Sequence, residues 1–175
     1  NFKINQACNF LKKNKIKNNS VVTLYLHNSI EFIILYFACI RFGAIVSPIP
    51  FGLSNDQIKY YLKVSKSNLL ISNQRLKLKT SQIIFKDYEN FDLNLKKFEK
   101  IFISNKIKKN KICVYYFSSG TTDKPKLIKY SNFAMVSCQK LLFKSNFLEP
   151  FSNHMCILPL GHTASLRYTI KQAII

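Results

Sequence analysis

Glycine is scarce in this 175-residue chain, which contains only Gly43, Gly52, Gly120 and Gly161. With so few residues that enter positive φ freely, each glycine marks a place where the backbone has a special requirement. Acidic side chains are also few, 8 Asp plus Glu against 27 Lys plus Arg, for a formal net charge of +19. Such an excess raises nucleic acid or an anionic membrane as partners. The shortage of arginine argues for a plainer origin. Only Arg41, Arg75 and Arg167 are arginines, whereas nucleic-acid readers favour the bidentate guanidinium fork. The lysines are spread through residues 12–17, 96–100 and 106–111 of a chain rich in Asn, Ile and Phe, a bias that A/T-rich codons produce. They read as a solvated basic surface, with attraction of an acidic substrate or partner as the alternative, and no nucleic-acid partner is expected.

Paired cysteine motifs are missing as well. Cys8, Cys39, Cys113, Cys138 and Cys156 are odd in number, widely spaced and without a CxxC, which excludes a disulfide framework and a zinc site as first readings. A reducing, cytoplasmic setting fits, with Cys39 and Cys113 as core fillers. The longest greasy stretch, residues 30–50, carries Glu31 and Arg41 and ends in Pro48 and Pro50, so it lacks the roughly 20 uninterrupted apolar residues of a membrane span. No signal-peptide pattern and no internal repeat is visible. What the chain does have is apolar mass: 47% hydrophobic and 14% aromatic residues, enough to bury a core.

Helix-like and strand-like periods alternate along the chain, the pattern of a largely parallel sheet covered by helices, an α/β fold. Phe2, Gln6, Phe10 and Leu11 mark an amphipathic helix. Residues 21–26 form a short β-branched strand, Asn28 caps the next helix with Glu31 completing a capping box, and Gly43 ends it. A second strand at 44–46 is closed by Pro48 and Pro50, Ser54 caps a helix reaching Val64, and 68–71 is a third strand. Farther on, 82–85 reads as a strand, 91–98 as a short helix and 106–111 as a loop or a linker between lobes. Residues 112–117 give the clearest strand, Ser131 or Asn132 caps a helix through Met135, Cys138 and Leu142, and 155–158 is a last strand before a helix that follows Gly161, His162 and Thr163.

Between the strand at 112–117 and the capping residues lies the segment that carries chemistry. A loop that holds a polyphosphate needs hydroxyl and N–H donors close together, a glycine where backbone meets anion, and lysine to neutralise charge. Ser118, Ser119, Thr121 and Thr122 surround Gly120, with Asp123 following and Lys124 and Lys126 flanking Pro125. It is not a Walker A loop, because Lys124 precedes Pro125 and no second glycine stands four residues from Gly120. From spacing alone, a polar strand-to-helix turn rich in hydroxyl groups is an equal alternative.

The run Tyr115-Tyr116-Phe117-Ser118-Ser119-Gly120-Thr121-Thr122-Asp123-Lys124-Pro125-Lys126 resembles the phosphate-loop signature of the adenylate-forming superfamily, usually Tyr-Thr-Ser-Gly-Thr-Thr-Gly-x-Pro-Lys-Gly. These are the acyl-CoA synthetases, peptide-synthetase adenylation domains and luciferases. Asn28-Ser29 with Glu31, followed by residues 37–44 ending in Gly43-Ala44, is similar to the family's Asn-Ser-x-Glu and Gly-Ala helix-turn. Leu158-Pro159-Leu160-Gly161-His162 is similar to its Leu-Pro-Leu-Phe-His.

The resemblance implies that residues 1–175 are an incomplete N-terminal portion of an AMP-binding domain, with a possible lobe linker near 104–111 and the C-terminal domain absent. Asn1 in place of an initiator Met, and an apolar run at 170–175, agree with that expectation. The implied reaction is activation of a carboxylic acid by ATP and Mg as an acyl-adenylate, releasing pyrophosphate, with coenzyme A or a carrier protein as acceptor. The fragment alone is expected to be inactive. Ser118, Thr121, Thr122 and Lys126 are implied to grip the phosphates, Ser119, Gly120, Asp123 and Lys124 to complete the nucleotide site, and Lys126 and His162 to be catalytic, with no metal held by protein ligands. Asp123 and Leu127 stand where the family has glycine, and Gly161 where it has an aromatic residue, so a degenerate binding or scaffold domain is the second reading. His27 and His154 read as structural, residues 115–117 as strand core, and Arg167 as facing either pocket or solvent.

Overall fold

A computed structural model describes residues 1–104, 108–118, 124–144, 157–162 and 165. The helix seen in the N-terminal periodicity is α1 (Phe2–Lys13), which buries Gln6, Ala7, Cys8, Phe10 and Leu11. The β-branched run that follows becomes β1 (Val21–Tyr25), buried along its whole length. Helix α2 (Ile30–Phe42) is apolar on nearly every side, as suits a helix packed against α1 and the sheet at once. Gly43 ends it at φ 90°, its N–H donating to the Cys39 and Ile40 carbonyls. Strand β2 (Ile45–Pro48) leads to α3 (Asn55–Ser65), whose N-terminus is closed by a capping box between Ser54 and Gln57. Then come β3 (Leu69–Ser72), β4 (Gln82–Ile84), α4 (Tyr88–Leu95), β5 (Ile112–Phe117), β6 (Leu127–Ser131) and α5 (Asn132–Lys144).

The six strands form one sheet in the order β4-β3-β1-β2-β5-β6, parallel except for the antiparallel β5–β6 pair. Side chains alternate across a strand, and the two faces of this sheet have different covers. Val22 and Leu24 of β1 and Leu69 and Ile71 of β3 join the large core under α1, α2 and α4. Tyr25 and Leu70 point the other way, into a smaller core with Ile58, Tyr61 and Leu62 of α3. Fully buried Phe32, Leu35 and Tyr36 of α2 each contribute roughly 1.5–3 kcal/mol of hydrophobic stabilisation. Cys39 and Cys113 are core fillers, as their apolar neighbours imply. Strands on both sides of the 104–111 stretch share this sheet, and Lys109 and Lys111 carbonyls accept the Phe133 and Asn132 N–H groups.

Four sequence expectations are corrected. The cap of α2 is Ser29, whose side chain accepts from Phe32 N–H, so Glu31 falls one position short of a capping box. Helix α4 starts at Tyr88 because Asp87 caps it through Asn90 N–H, and it ends at Leu95 rather than Phe98. The phosphate-loop sequence is followed by a strand: Phe117 pairs with Leu127 and Tyr116 with Ile128, making 118–126 the loop of a hairpin and not a strand-to-helix turn. Ile157 and Leu158 form no strand and are 81% and 49% exposed, the Leu158 carbonyl being taken by Asn28 and Ser165 side chains. Ser165 is helical; residues 155 and 156, Thr163, Arg167, His154 and the rest of the final expected helix lie outside the described residues.

Candidate active site

Because β1, β2 and β5 run parallel, their carboxyl ends meet one edge of the sheet, where open α/β sheets bind ligands. From that edge emerge His27 and Asn28 after β1, Pro50 and Phe51 after β2, and Ser118 after β5. The Ser118 N–H donates to the Lys126 carbonyl at 2.9 Å and closes the loop at its base. Helix α3 holds both arms of that hairpin. Tyr61 packs its ring on Phe117, 4.2 Å between centroids, and the Tyr60 hydroxyl donates to the Pro125 carbonyl at 3.0 Å. Pro125 has a fixed φ and no N–H of its own, so its carbonyl is the natural anchor at that position. Lys124 and Lys126 are exposed on this arm and present two cations at the loop base. Ser119, Gly120, Thr121, Thr122 and Asp123 lie outside the described residues.

A second turn, carrying His162, is fastened to the same edge by different elements. The Asn28 amide nitrogen donates to the Leu158 carbonyl at 3.0 Å, and its oxygen accepts from Leu160 N–H at 2.7 Å. Ser165 Oγ donates to the Leu158 carbonyl at 3.0 Å, and His162 N–H donates to the Pro159 carbonyl at 2.9 Å. Gly161 lies so close to the segment that follows β2 that a Cβ there would stand 2.3 Å from the Ile49 carbonyl oxygen and 2.9 Å from Pro50 Cα. With the backbone so placed, position 161 has no room for a side chain. Leu160 is buried and His162 is exposed, so the turn seats its apolar residue and leaves the imidazole facing out.

Aromatic residues that follow or end β1 and β2 meet at this edge. Tyr25 stacks on Phe51 at 4.8 Å, and His27 lies against the other partner of that stack at 3.6 Å from the Phe51 centroid. The Tyr25 hydroxyl donates to the Leu53 carbonyl and accepts from Gly52 N–H, fixing the turn after β2. His27 is exposed, with one face of its ring against Phe51. Tyr116 is buried in the core beside the Tyr36 hydroxyl at 3.1 Å, and burial, with Tyr116 second, pushes the Tyr36 phenol up. Tyr115 and Phe117 are only half-buried. Sequence reasoning missed Tyr60, Phe51 and the outward reach of Asn28. None carries a local signal, since each acts on a residue distant in the chain.

Among the described residues no group of three or more His, Cys, Asp or Glu side chains could hold a metal ion, and no helix is long and apolar enough to cross a membrane. The groups that are present, the Ser118 hydroxyl and the Lys124 and Lys126 ammonium groups, suit an anionic ligand.

The oxalate–CoA ligase of Arabidopsis thaliana is 25% identical over 166 residues, covering 86% of this chain and 32% of the ligase. Surfactin synthase subunit 3 of Bacillus subtilis is 28% identical over 124 residues, covering 70% of this chain and 10% of the subunit. ATP-bound MatB from Rhodopseudomonas palustris has the same fold, with a TM-score of 0.85 at 16% identity over 94% of this chain and 35% of MatB. The chain thus spans about a third or less of the length of these curated relatives. The model of the AMP-binding enzyme family matches residues 2–174, and with the sheet, the clasped hairpin and the relatives in agreement, the chain belongs to that family of adenylate-forming enzymes.

Proposed function

We propose that this chain forms the ATP-side part of an enzyme that activates a carboxylic acid. In this reading a carboxylate oxygen attacks the α-phosphorus of ATP, the bond to the β-phosphate oxygen breaks, and pyrophosphate leaves with that electron pair. A thiol of coenzyme A or a carrier protein then attacks the acyl carbon and AMP departs. Both steps gain most from positioning and charge neutralisation. Ser118, Ser119, Gly120, Thr121 and Thr122 supply hydroxyl and backbone donors to the β- and γ-phosphates, with Asp123 and Lys124 at the loop's end. Lys126 balances the charge that moves onto the departing pyrophosphate. His162 stands beside the acid.

The observation that carries this reading is the hairpin clasp: Ser118 N–H on the Lys126 carbonyl, with Tyr60 on Pro125, at the carboxyl edge of a parallel sheet. It puts the Ser118 hydroxyl and the Lys124 and Lys126 ammonium groups at the base of one short loop, and the like-folded MatB is described with ATP bound. Magnesium accompanies ATP by neutralising phosphate charge; in this reading the phosphate oxygens hold it. The cysteine usage keeps the cytoplasm as the proposed compartment.

The test is acid-dependent exchange of labelled pyrophosphate into ATP by the full-length protein with a pooled set of acids. Lys126→Ala is expected to lose about 2 to 4 kcal/mol of transition-state stabilisation, the scale of one preorganised charge contact. Equal exchange in that variant removes Lys126 from the mechanism. A second reading, a nucleotide-binding scaffold that has lost the reaction, rests on Asp123 and Leu127 in glycine positions. MgATP binding without any exchange selects it.

A further inference from the structure

Asn28 sits at the mouth of α2, in the place where a capping residue would be expected, yet Ser29 does the capping. Its amide is turned instead to a segment 130 and 132 residues later. Donor and acceptor are both engaged, the nitrogen on Leu158 and the oxygen on Leu160, so the two contacts fix the orientation of the turn as well as its distance. An apolar or single-function side chain at 28 leaves at least one of these backbone groups to water. The turn so held is short. Leu160 is sunk to 3% exposure, Gly161 touches the segment that follows β2, and His162 follows at once. With the backbone pinned on both sides of Pro159, Asn28 and the Ile49 backbone set where the His162 main chain stands.

We propose that Asn28 is a positioning residue for His162: it holds the 157–162 turn so that the imidazole stands at the acid side of the site, and it acts on the acid and not on ATP. The proposal rests on the reading of His162 given above. It divides the labour of the sheet edge. Helix α3, through Tyr60 and Tyr61, steadies the phosphate hairpin, and the β1–α2 junction, through Asn28, steadies the turn that faces the acid.

The test uses the full-length protein and the variants Asn28→Ala, Asn28→Asp, His162→Ala and the double variant Asn28→Ala/His162→Ala. Asn28→Ala is expected to raise KM for the acid about tenfold in pyrophosphate exchange, with KM for ATP moving less than about twofold. Asn28→Asp keeps the acceptor for Leu160 N–H and is expected to fall between wild type and Asn28→Ala, and it serves as the folded comparison should alanine disturb folding. In the His162→Ala background the effect of Asn28→Ala is expected to vanish, the non-additivity of residues acting through one another. Full additivity, or parallel rises in both KM values, overturns the proposal.

A readout independent of turnover is the NMR signal of the His162 ring in protein labelled at histidine, assigned by its loss in His162→Ala. Asn28→Ala is expected to move that signal, and an unmoved signal refutes the positioning role. Absence of exchange in wild type together with a moved signal removes the reaction proposed above and leaves the coupling of Asn28 to the turn intact.

Discussion

The Tyr60 hydroxyl donates to the Pro125 carbonyl oxygen across 3.0 Å, joining the first turns of α3 to the far arm of the β5–β6 hairpin. Removing that one hydroxyl leaves the ring and its edge contact with Tyr61 in place. Tyr60→Phe is therefore expected to change stability by no more than about 0.5–1.5 kcal/mol, the net worth of one hydrogen bond. Its larger effect falls on nucleotide affinity, because the arm bearing Lys124 and Lys126 loses its tether. Titration of the full-length protein with MgATP should show a several-fold higher Kd at nearly unchanged Tm; an unchanged Kd would mean that Ser118 and Lys126 close the loop unaided.

Asp123 is the charge that least suits a phosphate loop. A carboxylate about 4 Å from a phosphate oxygen costs on the order of 4 kcal/mol at an effective dielectric near 20. Asp123→Gly is expected to tighten MgATP binding about tenfold or more, measured by calorimetry. Equal affinity would show that Lys124 already neutralises it.

Gly161 makes a steric prediction. A methyl group there meets the Ile49 backbone at 2.3 Å, and backbone does not swing aside as a flexible side chain would. Gly161→Ala is expected to lower stability by about 1–3 kcal/mol, the scale of overpacking a close contact, and Gly161→Phe by more. Urea unfolding midpoints decide it, and a midpoint equal to wild type would show that the turn lifts off Ile49 freely.

Cys8 and Cys39 face each other's elements in the core under α1 and α2, and neither side chain is exposed. Burial pushes the Cys8 thiol up from 9.0 to about 12, against a smaller opposing pull from Arg41. Burial raises Cys39 as well, with Cys8 second. The native state therefore keeps these protons after the unfolded chain has lost them. Their contribution to stability is whole below pH 9.0, the unfolded thiol value, and declines as pH rises from there towards about 12. Each thiol contributes a slope of at most about 1.4 kcal/mol per pH unit in that window. Stability measured across it should fall less steeply in Cys8→Ala than in wild type, and native-state alkylation at pH 8 should spare both residues; rapid labelling of Cys8 would contradict the burial.

The order and kind of most elements can be read from the residues alone, because those depend on periods of apolar residues and on local caps. Ser54 and Gln57 form their capping box from four neighbouring residues, Gly43 takes the positive φ that a helix end requires, and the β-branched run at 21–25 had nowhere to go but a buried strand. Membership of the family was legible for the same reason: the residues of the 115–126 run that carry the resemblance are contiguous. Contacts in which a residue had two possible partners emerge only in the folded chain. Asn28 had a capping position beside it and a turn 130 residues away, and it took the turn because Ser29 could cap and the turn's backbone groups needed an amide with both a donor and an acceptor. Residues 127–131 were short and interrupted by Lys129, too weak a pattern to read as a strand, until β5 offered a ladder to pair with. Gly161 looked like a defect in a motif and is a close approach to Ile49 that exists only once β2 is in place. Local propensity selects among conformations of one segment; it carries no information about which distant backbone will leave a hydrogen bond open or a gap too small for a side chain.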